Sequence, residues 1–215
     1  MKIETFTAPG FEENTYLVRG AEDAAVVIDP GANTPALLER IEQEGIAIHA
    51  VLLTHAHIDH IEGVAKVVRQ SNAPVYLHED DRRMYEAAPV QALQFGLRVD
   101  PLPSIDHELR HGQRLDLIGL RFEVRHVPGH SPGHVLFYLE KQNVAFVGDV
   151  VFQGSIGRTD LPGGNYTELM RSIRQQVLTL PANTELYSGH GPPTTVAHER
   201  DTNPFLIPNY GGGLA

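Results

Sequence analysis

The sequence predicts an α/β fold in which two β-sheets pack face to face and the helices lie outside them. Strand-like and helix-like patterns interleave, but without the strict alternation that is typical of a doubly wound sheet. Consecutive strand patterns occur in both halves, as in Asn14–Arg19 followed by Ala24–Ile28. Since 41% of the 215 residues are hydrophobic, the chain can bury a core. Its length favours a single domain over residues 1–215.

The first half continues with a helix whose ends are marked by residue type. Thr34 is expected at the N-cap, Pro35 at the first helical position and Gly45 at the end. Residues 50–53 form a short apolar run that is typical of a buried strand. The next elements are predicted at residues 64–68 (helix), 74–77 (strand) and 81–87 (helix).

The second half opens with residues 88–111, where prolines and weak periodicity predict a long loop. Together with Tyr85 and Phe95, this loop is a candidate lining for a substrate pocket. Strands are then predicted at residues 114–117, 121–127, 135–139, 144–147 and 184–187. A helix is predicted after residue 164, with Asn165 and Glu168 at its start and an apolar stripe of Leu169, Ile173 and Val177. The tail, residues 210–215, is expected to be mobile.

The strongest chemical signal is the segment THAHIDH at residues 54–60, directly after a buried strand. Imidazole and carboxylate groups suit divalent zinc, iron or manganese. His55 and His57 point to the same side of an extended chain and can reach one ion. Asp59 and His60, past the turn, can reach a second ion. A solvated polar loop is the alternative interpretation.

Three further strand patterns end in a glycine followed by a metal-binding residue type. These residues are His130, Asp149 and His190. The glycine permits a sharp turn, and ligand sites form at the carboxyl ends of strands. Four strand ends that each carry histidine or aspartate therefore predict one shared metal centre.

These motifs, in this order, resemble those of the metallo-β-lactamase superfamily. The resemblance implies an αβ/βα four-layer sandwich of two mixed β-sheets with helices outside and two divalent ions at one edge of the sheets. It implies that the first ion is held by His55, His57 and His130, the second by Asp59, His60 and His190, and both by Asp149. Asp59 and Asp149 are the expected catalytic carboxylates.

Other segments are similar to small bacterial proteins of the glyoxalase II-like (hydroxyacylglutathione hydrolase-like) branch. They are PGHSPGH at residues 128–134, GDVVF at 148–152, GRTD at 157–160 and NPF at 203–205. The branch implies hydrolysis of thioesters such as S-lactoylglutathione through a metal-bridging hydroxide. Zinc is the expected metal, with iron or manganese as alternatives. Full-length glyoxalase II also has a C-terminal helical domain that holds glutathione, and that domain is expected to be absent here.

Leaving-group chemistry also favours a thioester. A thiolate, with a pKa near ~8.5, leaves without full protonation, whereas an amide nitrogen needs an acid that the sequence does not identify. Arg158 is expected to contact the substrate, with pairing to Asp160 as the alternative. His134 is expected to orient a ligand, with a purely structural role as the alternative. Asp29 is expected to cap the turn that follows it rather than to support the metal loop.

Composition restricts the partners. The chain has no cysteine, so disulfides and thiolate ligands are excluded. A net charge of −10 disfavours nucleic acid and anionic membranes. The N-terminus does not resemble a signal peptide, and no apolar run approaches the ~20 residues that span a bilayer. A cytoplasmic enzyme with a small-molecule thioester substrate is therefore expected.

Two other function classes remain open. Persulfide dioxygenases resemble this branch, carry a GRTD segment and use one iron held by two histidines and one aspartate, so a mono-iron oxidoreductase is the main alternative. A binding protein with a relict metal site is the other, and the presence of all seven ligands argues against it. Metal count and oxygen uptake distinguish the dioxygenase from the hydrolase.

Overall fold

Two six-stranded β-sheets pack face to face, and helices cover both outer faces. The computed structural model describes residues 1–10, 12–20, 23–94, 96 and 98–207. The four layers confirm the αβ/βα sandwich. The tail at residues 210–215 and Phe95 lie outside the described residues.

The N-terminal sheet has its strands in sequence order. They are β1 (Lys2–Thr7), β2 (Asn14–Arg19), β3 (Ala24–Ile28), β4 (Ala47–Leu52), β5 (Val75–His78) and β6 (His107–Leu109). The first three pair antiparallel and the last four pair parallel. Parallel pairing requires long crossovers. The helices in these crossovers are α1 (Thr34–Glu44), α2 (Ile58–Ile61), α3 (Val64–Ser71) and α4 (Arg82–Gln94), with a 3₁₀ turn at Glu79–Asp81.

The C-terminal sheet is a four-stranded antiparallel meander extended by two strands, of which the first pairs in parallel with the meander and the second pairs antiparallel with the first. Its strands are β7 (Arg114–Leu117), β8 (Leu120–His126), β9 (Val135–Leu139), β10 (Val144–Gly148), β13 (Glu185–Ser188) and β14 (Thr194–Thr195), in the order β14-β13-β10-β9-β8-β7. The other elements are a 3₁₀ turn at Glu140–Gln142, a hairpin of β11 (Val151–Phe152) and β12 (Ser155–Ile156), helix α5 (Tyr166–Ser172) with a π-helical turn at Ile173–Val177, and helix α6 (Val196–Thr202).

Apolar side chains fill three layers, because successive residues of a strand point to opposite faces of its sheet. On β2, Leu17 packs toward the helices while Val18 packs toward the other sheet. On β9, Phe137 faces the space between the sheets and Leu136 faces α5. All four side chains are fully buried. Both faces of each sheet are thus covered, which explains the nearly continuous apolar runs of these strands.

The start of α1 differs from the expectation. Asn33, not Thr34, is the N-cap, so Thr34 is already the first helical residue and Pro35 the second. The Thr34 hydroxyl is buried and donates to the Gly31 carbonyl at 2.6 Å instead of capping the helix. Gly45 ends the helix in the left-handed conformation (φ 64°), as predicted.

The prediction of a single loop over residues 88–111 is wrong at both ends. Helix α4 continues past Pro89 to Gln94, because Tyr85, Ala88 and Ala92 form one buried stripe at helical spacing. Strand β6 forms because residues 107–109 pair in parallel with β5, and this contact is not visible in local sequence. Among the described residues, no helix is both long and apolar enough to cross a membrane.

Candidate metal centre

The seven proposed ligands follow the carboxyl ends of strands from both sheets. They are His55, His57, Asp59 and His60 after β4, His130 after β8, Asp149 after β10 and His190 after β13. Asp59 and His60 lie in the short helix α2, and the other five lie in the segments directly after their strands.

A first cluster consists of three imidazole nitrogens. His130 Nε2 lies 2.8 Å from His57 Nδ1 and 3.3 Å from His55 Nε2. The three nitrogens converge without a carboxylate among them. Three imidazole nitrogens so arranged can hold a divalent zinc or iron ion.

Hydrogen bonds on the far side of two of these rings determine which nitrogen carries the lone pair. His130 Nδ1–H donates to the Arg158 carbonyl at 2.8 Å, so its Nε2 is free to bind a metal. His55 Nδ1–H donates to the Thr54 hydroxyl at 3.0 Å, so His55 Nε2 is also free to bind a metal. Burial and the neighbouring imidazoles hold the pKa of His55 well below its usual range. Burial, followed by His130, lowers the pKa of His57 to about 4. Both rings are therefore neutral, as metal binding requires.

A second cluster combines a carboxylate with two imidazoles, from Asp59, His60 and His190. Asp59 Oδ2 lies 3.4 Å from His190 Nε2 and 3.9 Å from His60 Nε2. His60 Nδ1–H donates to Asp29 Oδ2 at 3.2 Å, which again turns Nε2 toward the cluster.

The carboxylate of Asp149 lies between the two clusters. Its Oδ2 is 3.4 Å from His130 Nε2 in the first cluster and 3.5 Å from His190 Nε2 in the second. Its Oδ1 is 3.3 Å from His60 Nε2. One carboxylate therefore faces both donor sets.

Two buried atoms in this region test whether a metal fits. Among the described residues, His60 Nε2 and Asp149 Oδ1 have no partner with hydrogen-bond geometry, although buried polar atoms are almost always satisfied. Burial alone would lower the pKa of His60 and His190. The carboxylates of Asp149 and Asp59 instead raise the pKa of His60 well above its usual range and that of His190 to about 10. The negative charge that is concentrated here fits a divalent cation, which would replace the protons that the two imidazoles hold and would bind Asp149 Oδ1.

The comparison with known proteins agrees with this geometry. A family model described as the metallo-β-lactamase superfamily matches residues 8–190.

The chain belongs to the metallo-β-lactamase superfamily.

The resemblance found in the sequence is thereby confirmed, and the chain is a metal-binding hydrolase of this superfamily.

Three similar proteins illustrate the range of this superfamily. The hydroxyacylglutathione hydrolase GloC of Haemophilus influenzae is 39% identical, over 96% of this chain and 98% of its own length. The crystal structure of BLEG-1, described as a B3 metallo-β-lactamase, is 40% identical with a TM-score of 0.90, over 96% of this chain and all of that one. TTHA1623, solved in a di-iron-bound form, is 43% identical with a TM-score of 0.87, over 94% and 100%.

Asp29 directly supports the loop that carries four of the proposed ligands. Its Oδ1 accepts the Thr54 N–H at 2.7 Å, and its Oδ2 accepts the Thr54 hydroxyl at 2.6 Å as well as His60 Nδ1–H. The expectation that Asp29 only caps its own turn is wrong. The carboxylate folds back onto β4 because Asp29 adopts a left-handed backbone conformation (φ 48°) at the end of β3.

His134 holds the backbone beside the carboxylate of Asp149. Its Nε2 accepts the Asp149 N–H at 3.1 Å, and its ring stacks on that of His55 at 4.6 Å. Burial lowers the pKa of His134 well below its usual range, so the ring is neutral and its Nε2 can accept. This is the geometry that an orienting residue needs, and the orienting role stays a prediction.

Two groups at the centre were missed by the sequence analysis. The buried Asp81 binds main-chain and side-chain donors of the loops that hold the ligands. The main-chain carbonyl of Arg158 accepts a hydrogen bond from His130. The sequence cannot reveal this contact, because every residue has a main-chain carbonyl. The Arg158 guanidinium forms two hydrogen bonds to Asp160 at 2.7 and 2.8 Å on the exposed surface. A substrate contact by Arg158 stays a prediction.

Tyr85 does not line a substrate pocket. It is only 2% exposed, it belongs to the buried apolar cluster between the N-terminal sheet and its helices, and its hydroxyl donates to the Pro103 carbonyl at 3.0 Å. The expectation for Tyr85 is therefore wrong, because its ring belongs to the apolar stripe of α4.

A third histidine group lies apart from the two clusters. Donor atoms of His78, Asp80 and His126 approach within 4.8 Å of one another. However, the two rings stack face to face at 4.1 Å with an interplanar angle of 8°. Imidazole lone pairs lie in the ring plane, so the lone pairs of stacked rings run parallel and do not converge. This group is not arranged as a metal site.

Proposed function

We propose that the chain is a two-metal thioesterase of the hydroxyacylglutathione hydrolase type. The observation that carries this proposal is the position of Asp149, whose carboxylate lies 3.4 Å from His130 Nε2 on one side and 3.3 Å from His60 Nε2 on the other. A carboxylate so placed can hold two ions at a fixed separation. The similarity to a protein named hydroxyacylglutathione hydrolase, over almost the whole chain, supports the same activity.

The metal ions would supply a hydroxide nucleophile at neutral pH and a Lewis acid for the carbonyl oxygen. The exposure of the proposed ligands indicates from which side the substrate reaches the centre. His55, His60 and His130 are buried, whereas His57 is partly exposed and the side chains of Asp59 and His190 are 22% and 26% exposed. The substrate carbonyl therefore approaches on the side of His57, Asp59 and His190.

Asp59 is the carboxylate that faces this open side. Although burial opposes the shift, the neighbouring His60 lowers the pKa of Asp59. Asp59 is therefore ionised, and it can accept a hydrogen bond from the attacking water and hold it in place. An ionised Asp59 is a poor acid for a departing amine, whereas a thiolate leaves without protonation. This favours a thioester over an amide.

Zinc is the metal that we propose, with iron or manganese as alternatives. The imidazole and carboxylate donor set accepts each of them, because selectivity among these ions depends on geometry and supply. TTHA1623 was solved with two irons, which supports iron as a real alternative. Metal analysis of the protein purified from its native host would decide.

The test is the release of glutathione from S-D-lactoylglutathione by fully metal-loaded protein, compared with Asp149→Ala. We expect rapid, metal-dependent release that falls to the uncatalysed rate in the variant, because the carboxylate between the two clusters is lost. Asp116→Ala is the matched control, since Asp116 is an exposed carboxylate paired with Arg121 on β8. It should retain full activity.

No thiol release from protein shown to hold two metal ions would contradict the proposal. A β-lactam should be tested in parallel, because BLEG-1 is described as a metallo-β-lactamase. Hydrolysis of the β-lactam without thioester hydrolysis would also overturn the proposal.

One observation favours a second candidate, a mono-iron persulfide dioxygenase. Two histidines and one aspartate form a smaller set within the centre, since His130 Nε2 lies 3.3 Å from His55 Nε2 and 3.4 Å from Asp149 Oδ2. Two histidines and one carboxylate can hold a non-haem iron with open positions. One bound iron together with oxygen uptake on addition of glutathione persulfide would establish this function instead.

A further inference from the structure

Asp81 is a fully buried carboxylate beside the first cluster, and it is not one of the seven proposed ligands. It ends the 3₁₀ turn Glu79–Asp81 that follows β5. A buried carboxylate is costly unless donors surround it. The groups that donate hydrogen bonds to Asp81 therefore indicate its role.

Among the described residues, the Asp81 carboxylate accepts three hydrogen bonds, and they come from two loops. Its Oδ2 accepts the Ala56 N–H at 3.1 Å and the Ser131 hydroxyl at 2.7 Å. Its Oδ1 accepts the Gly133 N–H at 2.6 Å. Burial raises the pKa of Asp81, and these three hydrogen bonds counteract the rise.

These donors lie next to the ligands of the first cluster. Ala56 separates His55 from His57, and Ser131 follows His130 directly. Asp81 thus fastens the loop after β4 to the loop after β8 at the point where the three imidazoles meet. The fit is close, since a Cβ on Gly133 would lie 2.6 Å from the Asp81 nitrogen and 2.9 Å from its Cβ.

The second cluster has a different support. Asp29 accepts a hydrogen bond from His60 at 3.2 Å, and the segment before His190 is fastened to the chain through Asn14, whose N–H donates to the Gly189 carbonyl at 2.8 Å. None of the three hydrogen bonds of Asp81 reaches Asp59, His60 or His190. Asp29 also reaches the first cluster through the Thr54 hydroxyl, which contacts His55 Nδ1. Of the two buried carboxylates, only Asp81 is therefore confined to the first cluster.

We propose that Asp81 is a positioning residue for the first metal site alone. It holds the loop of His55 and His57 at a fixed distance from the loop of His130. The inference rests on the proposed metal centre and assigns the support of one of its two sites. Loss of such a supporting group weakens metal affinity by about 10–100-fold, and here only the ion in the first cluster should be affected.

Asp81→Asn tests this inference, because the amide keeps the volume but offers one oxygen for three donors. The variant is made in two backgrounds. His190→Ala removes a ligand of the second cluster and leaves the first complete, and His130→Ala does the reverse. Zinc affinity is measured by competition with a chromogenic chelator. We expect Asp81→Asn to lower the affinity about 10–100-fold in the His190→Ala background and less than about twofold in the His130→Ala background.

Matched controls separate positioning from general damage. Asp80→Asn changes the neighbouring exposed carboxylate and should alter neither affinity. Ser131→Ala removes only one of the three hydrogen bonds and should show the same selectivity with a smaller loss. If Asp81→Asn does not fold, Ser131→Ala in the two backgrounds decides the question.

Equal losses of zinc affinity in both backgrounds, or no loss in either, would overturn the inference.

A spectroscopic measurement distinguishes a change of ligand geometry from a loss of stability. With Co²⁺ in the His190→Ala background, the visible absorption bands should shift on Asp81→Asn, because the ligand geometry at the first site changes. None of these measurements uses a substrate. Absence of thioester hydrolysis would therefore contradict the proposed function without affecting the inference about Asp81.

Discussion

At the scale of single residues, the contact between Asp149 and His60 depends on the absence of a side chain at Gly189. A Cβ built on Gly189 would lie 2.1 Å from Asp149 Oδ1 and 2.6 Å from His60 Cε1. Either distance is far below van der Waals contact. The glycine that precedes His190 is therefore required because two proposed ligands occupy the space beside it.

Substitution of Gly189 by alanine should damage the metal centre. The new methyl group must displace Asp149 or His60, so we expect metal affinity to fall about 10–100-fold, as for the loss of a ligand support. Chelator competition measures the change. Gly45→Ala is the control: a Cβ there meets open space but must adopt φ 64°. It should cost about 1 kcal/mol of stability with metal affinity unchanged. Unchanged affinity in Gly189→Ala would show that the two ligands can move freely.

At the scale of elements, α5 connects the helical layer to the loop of a proposed ligand. The Asn165 side chain caps the helix by accepting the Glu168 N–H at 3.1 Å. The Asn165 N–H donates to the carbonyl of Gly129, the residue before His130, at 2.7 Å. Asparagine and glutamate at this spacing predicted the start of the helix from sequence. The bond to Gly129 appears only in the fold.

The Asn165 cap should contribute measurably to the free energy of unfolding. Asn165→Ala removes the side-chain acceptor and should lower the free energy of unfolding by about 1 kcal/mol. Urea unfolding followed by circular dichroism measures the difference. Asn165→Asp keeps an acceptor at the cap and should stay within about 0.5 kcal/mol of the unchanged protein. A loss of the same size in both variants would contradict the assignment of the cap.

At the scale of the whole molecule, the metal centre joins the two sheets. Four proposed ligands follow β4 of the N-terminal sheet, and three follow β8, β10 and β13 of the C-terminal sheet. Bound ions would therefore hold the two halves of the sandwich together. A ligand that binds only the folded state stabilises it in proportion to the logarithm of its concentration over Kd.

Metal addition should therefore raise the melting temperature of the chelator-treated protein. At a free zinc concentration 100 times Kd, the expected gain is about 2.7 kcal/mol, or roughly 5–10 °C for a domain of this size. Differential scanning calorimetry measures the shift. His130→Ala and His190→Ala should each retain only part of the shift, because each keeps one cluster. An unchanged melting temperature in the original protein would contradict a metal centre between the sheets.

The sequence by itself determined the proposed ligands and most of the elements. Histidine and aspartate after glycine or threonine at four strand ends predicted the metal centre, because ligand chemistry and sharp turns depend on residue type. Short β-rich runs located β2 and β3, and helical spacing located α5. The αβ/βα sandwich followed from the runs of consecutive strands together with the family resemblance.

The tertiary structure decided how the distant segments meet. Strand β6 exists through its pairing with β5, and Asp81 is recognisable only once the loops of Ala56 and Ser131 lie beside it. The Arg158 carbonyl that orients His130 is a main-chain group, which every residue has. Contacts of this kind join residues that are 25 or more positions apart in the chain. Local residue patterns carry no information about them, because such contacts form only when the packed sheets bring the segments together.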